Sequence, residues 1–139
     1  MRESSRSRKE ARTMARTIKA ILVDVQKEPS KVVEIETELE AYYKALDCDC
    51  IDIVTRRIGR KTFSIVCDDE GIYRQPKISA IDCLGNVMLM GNLLICNRKG
   101  PELDSLTADD IKYIKERIVD QGTRMYPKGY PMVMQCTYA

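Results

Sequence analysis

Residues 50–66 read CIDIVTRRIGRKTFSIV, and this stretch carries the alternation that decides the fold. Ile51 and Ile53 alternate with other residues before a basic segment, and Phe63 and Ile65 alternate in the same way after it. Apolar residues at every second position on both sides of a glycine-containing segment are typical of a β-hairpin. The stretch therefore predicts two antiparallel strands, with their turn in the basic segment between them.

The basic segment holds the densest positive charge in the body of the chain. Charged residues at a hairpin tip are usually solvated and nothing more. Arginine forks are also well suited to bind phosphate groups, so a phosphate-binding loop stays open as the alternative. A second basic segment ends a later apolar run, and we consider that it faces the same side. The candidate ligand-binding residues of the two segments are Arg56, Arg57, Arg60 and Lys61, together with Asn97, Arg98 and Lys99.

The hairpin runs directly into an acidic stretch, SIVCDDEGIYRQPK at residues 64–77. Cys67 closes an apolar strand, and three acids and Gly71 then supply the chemistry of a turn. The acids lack the alternate spacing that a calcium loop requires over roughly 12 residues, so we interpret the stretch as a turn and predict no metal site. Tyr73 and Arg74 follow the turn and join the candidate ligand-binding residues, with Tyr73 available to stack on a base.

Three other apolar runs predict strands. Residues 18–25 are short and β-branched and residues 31–36 alternate, so together they predict an opening hairpin. Residues 85–100 form a longer apolar run that holds Gly91, which predicts either one bent strand or two.

Two segments have helical spacing. The first is TELEAYYKAL, in which Thr37 and Glu40 have the spacing of a capping box. The second is LDSLTADDIKYIKERIVDQG, in which Thr107 is placed as the N-cap with the help of Asp110, and Gly122 ends the helix. The apolar stripe predicted for the second helix is Ile111, Ile114 and Ile118.

These elements predict an α+β fold, with an antiparallel sheet of about five or six strands and two helices packed on it. We divide the chain into a basic leader at 1–16, a single domain at 17–122 and a tyrosine-, proline- and methionine-rich tail at 123–139. The leader is expected to be flexible, because it holds few large apolar residues. The tail either packs on its own domain or binds a partner. Its candidate partner-binding residues are Tyr126, Tyr130 and Met132.

The composition of the chain disfavours several classes of function. The 139 residues carry a net charge of +2, which is unlike a globally basic nucleic-acid-binding domain. The chain has no histidine, which excludes histidine-based triads and dyads, and we predict no enzymatic activity and no cofactor. Its six cysteines lack the spacing of a zinc site. We expect them to be reduced thiols in the cytoplasm, since neither a signal peptide nor an apolar membrane span is evident.

The order of these signals resembles the small family catalogued as domain of unknown function 3846. The segments that carry the resemblance are IKAILVDVQKEPSKVVEIETELEAYYKAL, FSIVCDDEGIYRQPKIS and NLLICNRKGPELDSLTADDIKYIKERI, over about residues 17–119. Its most specific parts are the VCDDEG turn at 66–71 and the SLTADDI helix start at 105–111. Members of this family carry the acidic stretch as a turn and are common on phages, plasmids and integrated conjugative elements. The resemblance implies no established enzymatic activity and an accessory role on a mobile element.

We therefore expect a non-enzymatic binding protein of a phage or mobile element that antagonises immunity in the host cell cytoplasm. It would sequester a nucleotide signal through the basic residues, or bind a host defence protein through its leader or tail. The alternative is a nucleic-acid-binding accessory factor of the mobile element, which the near-neutral charge disfavours. A homo-oligomer stays open, no membrane partner is expected, and a carboxylate enzyme around a metal ranks last.

Overall fold

The computed structural model describes residues 16–25, 30–70, 77–121 and 130–139. Within these residues the chain forms eleven strands and two helices. In chain order the elements are β1 Thr17–Val23, β2 Lys31–Glu36, α1 Leu39–Leu46, β3 Ile51–Ile58, β4 Lys61–Asp68, β5 Ile78–Ile81, β6 Val87–Met90, β7 Leu93–Lys99, β8 Glu102–Asp104, α2 Ala108–Lys115, β9 Ile118–Gln121, β10 Tyr130–Val133 and β11 Cys136–Tyr138. In the described part of the chain, neither helix is long and apolar enough to span a membrane.

The strands form two sheets. The larger sheet has seven strands in the order β11-β3-β4-β7-β1-β2, with β8 paired to the end of β7, and its pairs are antiparallel. The smaller sheet has four strands in the order β6-β5-β10-β9, where β10 runs parallel to β5. The predicted α+β class, with a mostly antiparallel sheet and two helices, is therefore confirmed. The smaller sheet is an addition that the sequence patterns do not predict.

Both faces of the larger sheet are buried along its central strands, which explains the nearly continuous apolar runs of the sequence. One face, here called the α2 face, packs against the smaller sheet and α2, and it includes Ile65 and its cross-strand partner Ile95. The opposite face, here called the α1 face, packs against α1, and it includes Val66 and its partner Leu94. Each residue of a strand therefore belongs to one of two separate environments, according to its parity.

The apolar run at 85–100 forms two strands that belong to different sheets. Gly91 lies between them with a φ of 85°, a conformation that costs a side-chain-bearing residue free energy. Asn92 is buried beside it and fixes the crossing. Its Oδ1 accepts a hydrogen bond from the Val25 N–H at 2.9 Å, and its Nδ2 donates to the Leu46 carbonyl at 3.2 Å.

Helix α2 begins as the sequence predicts and ends earlier. The Thr107 Oγ1 accepts from the Asp110 N–H at 3.1 Å, and the Asp110 carboxylate accepts from the Thr107 N–H at 3.2 Å, which completes a capping box. The helix ends at Lys115, so the prediction that it reaches Gly122 is wrong. Ile118 starts β9 instead of extending the helical stripe, because this segment pairs as a strand with β10.

Helix α1 lacks the predicted capping box. Glu38 occupies the N-cap position and makes no side-chain capping bond. Thr37 Oγ1 accepts from the Arg16 N–H at 3.1 Å, and the Thr37 N–H donates to the Arg16 carbonyl at 2.8 Å. Thr37 therefore continues the β1–β2 ladder instead of capping the helix. Tyr42 and Leu46 bury the helix against the sheet, and this burial raises the pKa of Tyr42 to about 12.

The described part of the predicted tail, residues 130–139, belongs to both sheets. β10 pairs with β9 and β5, and β11 pairs with β3. Met132, Val133 and Cys136 are buried in the core on the α2 face. These residues pack on their own domain, and the Met132 side chain is not exposed as a partner-binding residue would be.

Candidate anion-binding site

The turn of the β3–β4 hairpin consists of Gly59 and Arg60 and is shorter than the sequence predicts. The basic residues around it lie within the strands. Because successive side chains alternate between faces, Arg56 and Lys61 lie on the α2 face and Arg57 lies on the α1 face. These residues therefore do not form the one basic loop that the sequence predicts.

On the α2 face, two of the predicted ligand-binding residues are bound to helix α2. Lys61 Nζ lies 3.1 Å from Asp110 Oδ1, and Asn97 Nδ2 donates to Asp110 Oδ2 at 2.8 Å. The Asp110 side chain is only 11% exposed. Burial alone would raise the pKa of this carboxyl, but hydrogen bonds from Thr107 and Lys61 outweigh burial and hold the pKa below its usual value. Lys61 and Asn97 thus attach α2 to the sheet.

The hairpin turn is attached to α2 by Tyr113. The Arg60 N–H donates to Tyr113 Oη at 2.6 Å, and two cations lie over the tyrosine ring, with Arg117 Cζ 3.7 Å and Lys61 Nζ 5.0 Å from its centroid. A β carbon added at Gly59, whose φ is 64°, would collide with the Tyr113 hydroxyl. The turn backbone is therefore packed against the helix, whereas a phosphate-binding loop would direct its N–H groups outward.

Arg56 is covered by the C-terminal strand. Its guanidinium carbon lies 4.8 Å from the centroid of the Tyr138 ring, and its Nη1 donates to the Thr55 carbonyl at 3.0 Å. Tyr138 is the register partner of Arg56 across the β11–β3 pair. The arginine therefore stabilises the attachment of β11 through a cation–π contact.

Two arginines lie together on the α1 face. Arg98, on β7, donates from Nη1 to Thr55 Oγ1 on β3 at 3.4 Å and from Nε to the Gly100 carbonyl at 2.8 Å. Since β4 lies between β7 and β3, the Arg98 side chain spans β4. Arg57 follows Thr55 by two residues on the same face, about 7 Å further along the strand. It is exposed, and its side chain forms no hydrogen bond or ion pair within the described part of the chain.

Hydroxyl side chains surround these arginines. The register places Thr62 and Thr137 on either side of Arg57. Ser64, on β4, is fully buried, and its hydroxyl has no hydrogen-bond partner among the described residues. On this face of β3, β4, β7 and β11, the only acidic side chain that the structure describes is Asp68, roughly 13 Å from Ser64 along the strand. We name this region the Arg57–Arg98 surface, and its members are Thr55, Arg57, Thr62, Arg98 and Thr137; Ser64 lies buried beneath it.

The Arg57–Arg98 surface presents charged and neutral hydrogen-bond donors together. An arginine side chain stays protonated in proteins, and its planar fork matches the oxygens of a phosphate group. Serine and threonine hydroxyls add neutral donors. Neither arginine forms an ion pair with another residue in the described part of the chain. The arrangement suits an anion with several oxygens.

The acidic stretch after β4 forms a turn, as the sequence predicts. Asp68 Oδ1 accepts from the Glu70 N–H at 2.9 Å, and the Asp69 N–H donates to the Cys50 carbonyl at 3.2 Å. The side chains of Asp49, Cys50 and Glu70 place one potential metal-ligating atom each within 4.8 Å of one another. In this arrangement partial desolvation, followed by the charges of Glu70 and Asp49, raises the pKa of the Cys50 thiol.

Some of the predicted site residues lie outside the described part of the chain: Tyr73, Arg74 and Tyr126. For Tyr130 the structure describes only the position of the backbone, which lies in strand β10. Lys99 is exposed on the opposite face from Arg98, and the register pairs it with Glu102. Of the predicted ligand-binding residues that are described, Arg57 and Arg98 are brought together on one surface, and the others are directed elsewhere.

The two sheets and the two helices define a small α+β domain with an exposed arginine surface on one sheet face. The family model described as domain of unknown function 3846 matches residues 18–119, and the chain belongs to this family. The match runs from β1 through α2 and includes every member of the Arg57–Arg98 surface except Thr137. No curated protein and no solved structure matches the chain.

Proposed function

We propose that this chain is a non-enzymatic binding protein that captures a phosphate-bearing ligand, of the nucleotide-signal class, on the Arg57–Arg98 surface. The observation that supports the proposal is the presence of two arginine and three accessible hydroxyl side chains on one sheet face, where neither arginine forms an ion pair with the described residues. Arg57 would supply the main charged contact, since it is exposed and makes no ion pair with other described residues. Arg98 is already oriented by its contacts with Thr55 and Gly100, which lowers the entropic cost of binding.

Capture without turnover agrees with the side chains that are present. The chain has no histidine, and a hydroxyl without an adjacent base is a weak nucleophile. Burial raises the pKa of Cys67 and Cys136 to about 11 and that of Cys96 to about 12, so these thiols stay protonated. The surface therefore offers hydrogen-bond donors and positive charge, which bind a phosphate group without breaking its bonds.

The setting that we propose is a phage or mobile element acting in the cytoplasm of its host. Support comes from the family resemblance, which is an argument by analogy. A protein that holds a nucleotide signal stoichiometrically would lower the free concentration of that signal and so antagonise the host immune response. Such a role requires affinity and abundance, and it requires no catalytic step.

The test is thermal unfolding of the purified full chain with a panel of cyclic and ADP-ribose-derived nucleotides. A ligand at about 100 times its dissociation constant adds roughly 2.7 kcal/mol of stability, which raises Tm measurably. We expect Arg57→Ala and Arg98→Ala each to remove most of the shift. Lys99→Ala is the matched control, because it removes one positive charge from the adjacent residue on the opposite face.

The alternatives give different results in the same experiment. If no nucleotide raises Tm, or if Lys99→Ala lowers the shift as much as Arg57→Ala does, the proposal is overturned and the search turns to a host defence protein. Binding to duplex or single-stranded nucleic acid that weakens steeply with salt would instead support an accessory factor of the mobile element.

A further inference from the structure

A groove lies between β2 and α1, at the opposite edge of the larger sheet from β11. Its volume is about 870 Å³, and its apolar lining includes Leu22, Val33, Ile35, Ala41 and Ala45. β2 also lines the groove, and it is the last strand of the described sheet on this side, so its outer edge has no neighbouring described strand. The groove therefore combines an apolar floor with a strand edge.

The rim of the groove is acidic. Four glutamates and two lysines line it, which gives a formal charge of 2 − 4 = −2: Glu34, Glu36, Glu38, Glu40, Lys31 and Lys44. This charge is opposite in sign to the net charge of the whole chain, which is +2. Glu38 makes no side-chain capping bond to the helix that it precedes.

We infer that this groove binds an extended basic peptide segment of a partner protein, which adds as a strand to the outer edge of β2. β2 pairs with β1 over six consecutive residues without a bulge, so its outer edge is regular and can pair again. Alternate side chains of an added strand would lie over the apolar floor. Because Glu34 and Glu36 have the opposite parity to Val33 and Ile35, the apolar side chains of the added strand would lie over the floor and its basic side chains would lie beside these two glutamates.

A basic peptide fits this edge better than a second copy of the same chain. Pairing β2 with its own copy would bring two acidic rims onto one seam, and like charges across a strand pair are destabilising. A basic strand would neutralise the rim instead. The groove is separate from the Arg57–Arg98 surface, so either site can fail its test without affecting the other.

The probe for the test is a short fluorescein-labelled peptide that alternates lysine with valine, titrated with the full chain and followed by fluorescence anisotropy. We expect saturable binding that is lost at high salt, and no binding of a matched peptide that alternates glutamate with valine. The double variant Glu38→Lys, Glu40→Lys should bind the basic peptide about tenfold more weakly or worse, since each exposed charge pair contributes a few-fold in affinity. The control is Glu116→Lys, a charge reversal at the end of α2 on the other face.

Strand addition has its own test. The same lysine–valine peptide with N-methyl groups at alternate residues keeps its charge and loses the backbone N–H donors along one strand edge. Of two such peptides, one methylated on the lysines and one on the valines, at least one should bind much more weakly, and equal binding of both would overturn strand addition. Undiminished binding to the Glu38→Lys, Glu40→Lys variant would overturn the acidic groove as the site. Concentration-dependent dimerisation in light scattering that Glu38→Lys strengthens would show that β2 pairs with its own copy, which also contradicts the inference.

Discussion

The two faces of the β3–β4 hairpin carry similar positive charge and use it differently. On the α2 face, Lys61 lies 3.1 Å from Asp110 and over the ring of Tyr113. On the α1 face, Arg57 is exposed and has hydroxyl residues as its cross-strand neighbours. The difference is due to the carboxylate of Asp110 on α2, the helix that covers the α2 face. Where a carboxylate is provided, the cation stabilises the fold, and where none is provided, the cation stays available to a ligand.

Removing the carboxylate of Asp110, which both Lys61 and Asn97 contact, should have the largest effect on stability. Asp110→Ala removes the capping box, the ion pair with Lys61 and the acceptor of Asn97. We expect a loss of about 2–3 kcal/mol in the free energy of unfolding, measured by urea denaturation. Asp109→Ala, an exposed acid in the same helical turn, should cost much less. Equal losses in the two variants would mean that Asp110 acts only through the helix dipole.

The packed hairpin turn should be the next most sensitive position. Gly59→Ala places a β carbon in the left-handed region and against the Tyr113 hydroxyl, so we expect a loss of about 2 kcal/mol in urea denaturation. Gly100→Ala is the control, because its φ of 63° is nearly the same and no atom lies near its β carbon. Gly100→Ala should cost about 1 kcal/mol for conformation alone. If the two substitutions cost the same, the contact between the turn and α2 contributes nothing.

The carboxylate of Asp110 should also make the free energy of unfolding depend on pH. The folded-state pKa of Asp110 is lowered from 3.8, so its contribution is present above that value and is lost as the pH falls through the folded pKa. We expect the unfolding free energy of the parent chain to fall more steeply than that of Asp110→Asn below about pH 4. Hydrogen bonds from Asn86 also lower the pKa of Asp82, and this group contributes equally to both proteins. Parallel pH profiles would contradict this role of Asp110.

The hydrogen bond between the turn and Tyr113 should contribute less. Tyr113→Phe removes the hydroxyl that accepts from the Arg60 N–H and keeps the ring beneath both cations. We expect a loss of about 0.5–1 kcal/mol, because water can replace part of this exposed bond. Tyr138→Phe, at an exposed ring that contacts Arg56, should leave the unfolding free energy unchanged. A larger loss for Tyr138→Phe would indicate a hydroxyl contact that the described residues do not contain.

The sequence predicts the fold class because its main signals are local. The alternation of β3 and β4 and the capping box of Thr107 and Asp110 each depend on residues close together in the chain. The smaller sheet leaves no such signal, since its strands have four residues each and β10 joins β5 from about 50 residues away. Helix α2 ends early because Ile118 pairs with Val133 across the β9–β10 pair, although the spacing of Ile118 fits the helix.

The candidate site is only partly predictable from the sequence. A count of basic residues selects Lys61 and Asn97 together with Arg57 and Arg98, because composition does not report which face a side chain occupies. If the turn is taken to have two residues, the alternation of side chains between the two faces of the sheet places Arg57 with the hydroxyl residues around it. The position of Asp110 relative to Lys61 requires the packing of α2 on the sheet, which no local pattern contains.

Ser64→Ala should have the smallest effect on stability and should sharpen the comparison most. The Ser64 hydroxyl is buried without a partner among the described residues, so its removal should change the unfolding free energy by less than about 0.5 kcal/mol in either direction. Ser79, on β5, is equally buried and equally without a partner there, which makes Ser79→Ala a matched control. If the α1 face binds a phosphate-bearing ligand, Thr62→Ala, at an exposed hydroxyl on the same face, should weaken that ligand in thermal-shift titration, whereas the buried Ser64→Ala and Ser79→Ala should not. A loss of stability in Ser64→Ala like that of Asp110→Ala would mean that both faces of the hairpin serve the fold alone.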